Sequence, residues 1–326
     1  MSQGGAYFTA PAAALEFIPS GCKLLDCTLA GGWPLGRIVN IVGDRSTGKT
    51  LLAMEALANF ISKYPKGKPF YRETESAFDS EYAKALGIPM DQVDMRGDLD
   101  TVEQLHDDLE HVVNKAGSHP SLYVLDCLDA LSDTAEMERK IGDGSYGAAK
   151  AKKLSELFRR LVRKLSTKKV CVIIISQVRD NIGVMFGEKH SRSGGKALDF
   201  YASVVLWLAK LKTLSETQKG VKRATGIRIL ANCKKNKIGL PFRRCEFGIR
   251  FGYGIEDVRA SLEWLDEVKR LDMLDLTKDD IEKTLADIER LEPGQAAEMR
   301  EEINQVAETA WYEIERDFLP PRRKYG

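Results

Sequence analysis

The segment Gly43-Asp44-Arg45-Ser46-Thr47-Gly48-Lys49-Thr50 constrains this chain more than any other stretch of it. It has the spacing G-x-x-x-x-G-K-[ST], follows the apolar run Ile38–Val42, and opens an amphipathic stretch that runs from Lys49 to Tyr64. Strand, glycine turn and helix in that order form a phosphate cradle, because the glycines let backbone N–H groups curl around an anion and the helix N-terminus adds a favourable dipole. In this cradle Lys49 meets the β and γ phosphates, the Thr50 hydroxyl holds Mg²⁺, and Leu51 continues the opening turn. The cofactors expected are ATP and Mg²⁺.

Around this loop the chain alternates between apolar strand-like runs and amphipathic helices. Strands are predicted at Arg37–Val42, Pro69–Tyr71, Leu122–Leu125, Val170–Ile175, Ser203–Lys210, Gly226–Asn232 and Arg244–Phe251. Helices are predicted at Lys49–Tyr64, Glu81–Ala85, Thr101–Ala116, Gly147–Leu165 and Leu198–Tyr201. The alternation predicts an α/β fold with a mainly parallel central sheet covered on both faces. Two polar, glycine-bearing stretches, Glu138–Gly147 and Arg179–Gly195, interrupt the scheme, and long loops inside a compact domain are usually functional or disordered.

Beyond Leu262 the chain turns helical and strongly charged, with Lys278–Leu291 and Gln295–Asp317 separated by Pro293-Gly294. The expected organisation is an N-terminal arm over 1–20, a core over 21–262 and a small acidic helical C-terminal subdomain over 263–326. Between Glu256 and Asp317 stand 20 acidic and 8 basic side chains, although the whole chain carries a net charge of only +1. The body is therefore clearly basic. A basic body suits a polyanionic partner, and an acidic tail suits shielding of that surface.

Composition excludes several classes. With 43% hydrophobic and 30% charged residues the chain is an ordinary globular sequence. It holds no apolar run of the roughly 18 residues a membrane helix needs, and no signal segment is expected. Six cysteines stand singly, at Cys22, Cys27, Cys127, Cys171, Cys233 and Cys245, which points to reduced, buried thiols in a cytoplasmic protein. Four histidines without ligand spacing argue against a structural metal.

Four further positions carry chemistry. Asp126 ends the apolar run Leu122–Leu125, where a carboxylate either orders the water shell of a metal beside the phosphate loop or caps a turn; next to the loop the metal role is preferred. Glu73 and Glu75 both follow the strand Pro69–Tyr71, and either carboxylate could activate water. Gln177 ends the buried run Val172–Ile175 and either senses a γ-phosphate or caps a loop.

Several separate motifs stand in order along the chain. Gly32-x-Pro34-x-Gly36-Arg37 leads into the phosphate loop, and Glu75-x-Ala77-x-Asp79 follows with Tyr82-Ala83 and Leu86-Gly87. Ala135-Glu136, Ile141-Gly142-Asp143 and Gly147 come next, then Ile182-Gly183-Val184-Met185-Phe186-Gly187, Gly194-Gly195, and Phe200-Tyr201-Ala202-Ser203. Lys235-Asn236-Lys237-Ile238 and Pro241-Phe242 close the series. Together, over about Gly21 to Ile255, these motifs resemble the bacterial RecA recombinase family.

The resemblance implies a RecA-type P-loop ATPase core and a role for each matching residue. Glu75, rather than Glu73, falls at the water-activating position, Asp79 and Tyr82 at adenine contacts, and Gln177 at the γ-phosphate sensor. Lys235 and Lys237 fall where lysines reach a neighbouring subunit's nucleotide, and Phe200 where an aromatic lies at that interface. The interrupting stretches become DNA-binding loops, with Tyr146 and Ile182 at wedge positions and Arg179, Gly183, Val184, Met185, Phe186, Arg192, Gly194 and Gly195 in the second loop. Lys152 and Arg159 match basic residues that touch the DNA backbone. Apolar wedges between bases extend a strand at a cost of a few kcal/mol per unstacked step.

The expected protein is thus a filament-forming, DNA-dependent ATPase that pairs single-stranded DNA with a homologous duplex. Its partners are those DNAs and further copies of itself, with no membrane. Three departures stand out: hardly 20 residues precede Gly21, Tyr146 replaces an aliphatic residue, and the chain beyond Leu262 bears little likeness to the family. A single-strand annealing protein and a RecA-fold helicase or regulatory ATPase are the competing functions.

Overall fold

The structure is a computed structural model that describes residues 15–75, 78–138, 147–180, 190–192, 195–322 and 324. In chain order it comprises β1 (Phe17–Ile18), α1 (Lys23–Leu29), β2 (Trp33–Pro34), β3 (Ile38–Gly43), α2 (Lys49–Lys63), β4 (Lys68–Glu73) and α3 (Ser80–Ala85). Then come β5 (Asp94–Arg96), α4 (Val102–Lys115), β6 (Ser121–Asp126), α5 (Thr134–Met137), α6 (Gly147–Thr167), β7 (Val170–Asp180), β8 (His190–Arg192) and α7 (Gly195–Tyr201). The chain ends with β9 (Val204–Gln218), β10 (Val221–Asn236), β11 (Arg243–Arg250), β12 (Gly254–Ile255), α8 (Asp257–Glu267), α9 (Ile281–Arg290) and α10 (Pro293–Asp317).

Among the described residues the main sheet runs β12-β11-β10-β9-β3-β7-β6-β4-β5, with β8 paired to β7. Strands β9, β3, β7, β6, β4 and β5 are parallel to one another. Antiparallel β10, β11 and β12 extend one side. The parallel strands read as unbroken apolar runs because each is buried on both faces. Along β3, Val39 and Ile41 join one hydrophobic cluster while Ile38 and Val42 join the other. The first cluster is closed by α1, α2, α8, α9 and α10, the second by α4, α6 and α7.

Several elements differ from the pattern read in the sequence, and for four of them the physical reason is plain. Phe17 and Ile18 pair with Pro34 and Trp33 and are buried, so packed chain begins before Gly21; two residues are too few to show a period. The expected strands Ser203–Lys210 and Gly226–Asn232 are the inner halves of a long hairpin, β9–β10. Its outer half is largely exposed and polar, and therefore carries no apolar signal. Lys219 and Gly220, with φ of 51° and 76°, form its two-residue turn. α10 starts at Pro293 rather than Gln295, because a proline at the first helical position loses no hydrogen bond.

The C-terminal helices share the core rather than standing apart from it. Ile281, Ile288, Ile303, Ala307, Ala310 and Trp311 belong to the same cluster as the sheet face. Trp264 and Trp311 meet at a ring-centroid distance of 5.4 Å. Polar ties reinforce this packing: Arg243 Nε donates to Glu315 Oε1 at 2.6 Å, and Lys23 Nζ pairs with Glu308 at 3.1 Å. Ser261 Oγ donates to Asn304 Oδ1 at 2.7 Å, and Asn304 Nδ2 donates to Asp257 Oδ2 at 2.6 Å. All six cysteines are free and buried.

One buried cation secures the far side of the sheet. The Arg72 side chain is 2% exposed and its guanidinium lies over the rings of Phe70 and Tyr123 at 5.4 and 5.5 Å. Its Nε donates to Asp108 Oδ2 at 2.6 Å, and Tyr123 OH donates to the same oxygen at 2.8 Å. Removing Asp108 strands this charge in the interior. Asp108→Ala is expected to lower unfolding free energy by about 3–5 kcal/mol, measured by urea titration. A loss below about 1 kcal/mol would show that the partial contact with Asp94 suffices.

Candidate functional site

The parallel strands deliver their C-terminal residues to one edge of the sheet. The register pairs Gly43 with Gln177 and Glu73 with Asp126, so the phosphate loop, both glutamates, the strand aspartate and the glutamine share that edge. Open α/β sheets bind ligands at such an edge.

The loop between β3 and α2 has no room for side chains at its glycines. A Cβ on Gly43 would stand 2.6 Å from Thr47 Oγ1 and 3.0 Å from Leu208 O. Gly48 has φ of 82°, and a Cβ there would stand 2.4 Å from Ile249 Cδ1. Within the loop, Asp44 O accepts from Thr47 Oγ1 at 2.9 Å and from Lys49 Nζ at 2.7 Å, and Arg45 N donates to Asp44 Oδ1 at 2.7 Å. Ser46 takes a positive φ of 56°. Leu51 is buried in the first turn of α2. Burial lowers the pKa of the Lys49 ammonium, opposed by the nearby Asp126 carboxylate.

Thr50 Oγ1 donates to Asp126 Oδ2 at 2.7 Å, and Tyr71 OH donates to the same oxygen at 2.8 Å. Burial pushes the Asp126 carboxyl up, and these two donors pull it back toward its ordinary value. A hydroxyl and a carboxylate this close are hard oxygen donors suited to Mg²⁺, which is usually held by one or two protein groups plus phosphates. No group of three or more His, Cys, Asp or Glu that could hold a metal ion occurs among the described residues.

The two glutamates that the sequence leaves equivalent are arranged differently. Glu73 is buried, and its Oε1 accepts from Glu75 N at 2.9 Å. Glu75 is exposed at the edge, and its Oε1 accepts from the Gln177 side-chain amide and from Cys127 Sγ, the latter at 2.7 Å. Gln177 N in turn donates to Asp129 Oδ2 at 2.7 Å. Thr74 Oγ1 donates to Cys127 O at 2.7 Å and accepts from Cys127 N at 2.8 Å, strapping the ends of β4 and β6 together. Neither Thr74 nor Cys127 is visible as part of this site in the sequence, because both act through contacts some fifty positions away.

Other predicted residues fall elsewhere. Asp79 caps α3, its Oδ1 accepting from Glu81 N at 3.0 Å and Tyr82 N at 3.1 Å, and Tyr82 is half-exposed. Lys235 and Lys237 lie near the start of β9, since Lys235 pairs with Val205 and Asn236 with Val204, which itself pairs with Val39 near the start of β3. They therefore stand at the opposite edge from their own phosphate loop. There both ammonium groups donate to the Phe200 carbonyl, at 3.1 and 3.0 Å, and Lys235 also donates to the Asp199 carbonyl. The Phe200 ring is 68% exposed, with Lys237 Nζ 5.6 Å from its centroid.

Lys152 and Arg159 are exposed on α6, seven positions apart and so on one helical face. Lys150 and Lys153 turn away from this role: Lys150 donates to the carbonyls of Leu128 and Leu131, and Lys153 pairs with Glu103. Arg179 and Arg192 lie on the ribbon formed by β7 and β8, where Val178 pairs with Arg192 and Arg179 with Ser191. This ribbon extends the strand that carries Gln177. Gly195 begins α7. Tyr146, Ile182, Gly183, Val184, Met185, Phe186 and Gly194 lie outside the described residues. The sequence reading also gave no role to Phe251 and Tyr253, exposed aromatics on the β11–β12 turn just beyond Ile249, which abuts Gly48.

A parallel sheet flanked by helices, with a glycine loop running into a buried lysine and a helix at the C-terminal edge, defines a P-loop nucleotide-binding protein. Residues 8–256 match the family described as RecA N-terminal domain, and the chain belongs to the RecA family. It is 36% identical to Protein RecA of Streptomyces avermitilis over 246 residues, which is 75% of this chain and 63% of that protein. It is 37% identical to Protein RecA of Nocardioides sp. over 244 residues, 74% of this chain and 67% of that protein. Protein RecA of Mycobacterium ulcerans is 36% identical over 242 residues, 74% of this chain and 67% of its own length. The chain thus spans about two thirds or less of the length of these relatives.

Proposed function

We propose that this protein is an ATP-dependent DNA recombinase that forms a helical filament on single-stranded DNA and pairs it with a homologous duplex. The observation that carries this function is the division of the nucleotide site between opposite sheet edges. One copy holds the phosphate loop, Asp126, Glu75 and Gln177 at one edge and offers Lys235, Lys237 and the exposed Phe200 at the other. Head-to-tail stacking of copies completes a site at every junction, and such a heterologous contact that does not close yields a filament.

In this mechanism the amides of Gly43–Thr50 and the Lys49 ammonium bind the triphosphate, and Lys49 exchanges the Asp44 carbonyl for phosphate oxygens. Mg²⁺, held by Thr50 with Asp126 ordering its water shell, would supply charge neutralisation at the phosphates. Glu75 orients and deprotonates the attacking water, while Asp79, Tyr82, Phe251 and Tyr253 are the candidates to border the base. Gln177 reports loss of the γ-phosphate to the β7–β8 ribbon, because its amide is already tied to Glu75 and its strand continues into that ribbon. Lys152, Arg159, Arg179 and Arg192 meet the phosphates of the strand, and the residues 182–186 and Tyr146 separate its bases. Pairing is then tested by base complementarity rather than by side-chain readout.

The acidic helices over 263–326 form a subdomain fixed to the core. No described helix is long and apolar enough to cross a membrane, and we place the protein in the cytoplasm with its DNA.

ATP hydrolysis with and without single-stranded DNA, with the same samples imaged by negative stain, tests this function. Stimulated hydrolysis together with helical filaments is expected, followed by invasion of a supercoiled duplex. DNA-independent turnover by closed rings would move the assignment to a helicase or regulatory ATPase. Pairing of complementary strands without duplex invasion would reduce it to annealing.

A further inference from the structure

Glu75 is the carboxylate assigned to face the attacking water. It sits beyond the end of β4, exposed, and its N–H donates to Glu73 Oε1. Two donors converge on its Oε1, the Gln177 amide and the Cys127 thiol, leaving Oε2 for other partners. The thiol is the more rigid of the two. Cys127 is fully buried just past β6, and its N–H and C=O are both clamped by the Thr74 hydroxyl, one residue before Glu75.

We propose, resting on the recombinase function above, that Cys127 is a positioning residue for hydrolysis: its thiol hydrogen fixes the Glu75 carboxylate so that the second oxygen faces the γ-phosphate. The clamp sets the spacing of the two residues through backbone and hydroxyl bonds, and the thiol then sets the rotamer of the carboxylate. When Gln177 leaves Glu75 for a phosphate oxygen, the thiol is what holds the carboxylate in place. Cys127 makes no contact with nucleotide in this scheme and acts only through Glu75.

Two variants test it in the full-length protein, assayed with ATP, Mg²⁺ and single-stranded DNA. Cys127→Val fills the thiol's space without a donor and is expected to lower kcat about tenfold, which corresponds to about 1.4 kcal/mol of transition-state stabilisation. KM for ATP and nucleotide-dependent filament formation should be unchanged. Cys127→Ser, which restores a hydrogen-bond donor, should recover most of kcat. A Cys127→Val enzyme with wild-type kcat overturns the proposal. So does a Cys127→Ser enzyme as slow as Cys127→Val, which would mark a packing role only. If Cys127→Val fails to fold, kcat of a soluble Cys127→Ser enzyme at wild-type level supports the donor, and a tenfold loss overturns it. Absence of DNA-stimulated hydrolysis by the wild-type protein would instead remove the recombinase function itself, and the proposal with it.

Discussion

A Glu75→Gln variant is expected to hydrolyse ATP about a thousandfold more slowly than the wild-type protein while still binding ATP and assembling on single-stranded DNA. The loss follows from removing the exposed carboxylate at the edge, a contribution of general-base groups that typically spans about 10²–10⁴. Glutamine preserves the shape of the side chain and can still accept from Gln177 and Cys127 through its carbonyl oxygen, so the local hydrogen bonds survive. Filaments should persist, because release depends on hydrolysis; phosphate release and filament lifetime measured on the same sample check both halves. Near-normal turnover would transfer the role to Glu73. Its burial and its bond to Glu75 N leave that carboxylate less accessible to an attacking water.

The second large effect is expected from replacing both distal lysines. A Lys235→Ala, Lys237→Ala double variant should fold and bind ATP in its own phosphate loop, yet lose DNA-stimulated hydrolysis by about 10³-fold. Cationic groups supplied in trans to a transferring phosphoryl are worth about 10³–10⁵ in rate. The lysines lie at the sheet edge away from their own Gly43, so no rearrangement of one copy brings them to its own nucleotide. Their present contacts are with the carbonyls of Asp199 and Phe200 at the end of α7, a helix C-terminus that attracts cations. Mixing is the decisive measurement. Lys49→Ala copies combined with the double-lysine variant should regain part of the activity that neither has alone, since a junction can join an intact loop to intact lysines. No recovery on mixing would place both lysines in a structural role.

Much of the fold was legible because burial writes itself into the sequence. Strands β3, β6 and β7 are apolar on both faces and stand out without any period, and the phosphate motif announces the turn between β3 and α2. Helix α4 was bounded by its cap, Thr101, with Gln104 completing a capping box. Where a segment faces water on both sides the signal vanishes, as in the outer half of β9–β10. The site was legible only where chemistry is local. Gly43–Thr50 and Asp126 can be found by spacing, whereas the choice between Glu73 and Glu75 needed the family resemblance. The side-chain bonds that distinguish the two glutamates cross between strands, and no spacing in the sequence records them.

The division of the nucleotide site across the sheet has a consequence for how such an assembly lives and dies. A stack of copies joined head to tail has two chemically unlike ends. At one end of the filament proposed above, the last copy would carry a nucleotide with no lysines to complete its pocket and would turn over slowly. At the other, the Lys235 and Lys237 ammonium groups, held on the Phe200 carbonyl, and the exposed Phe200 ring would face an incoming subunit. In the proposed filament, growth and loss would then not need to be symmetric, and the polymer would acquire a direction along DNA without any separate motor.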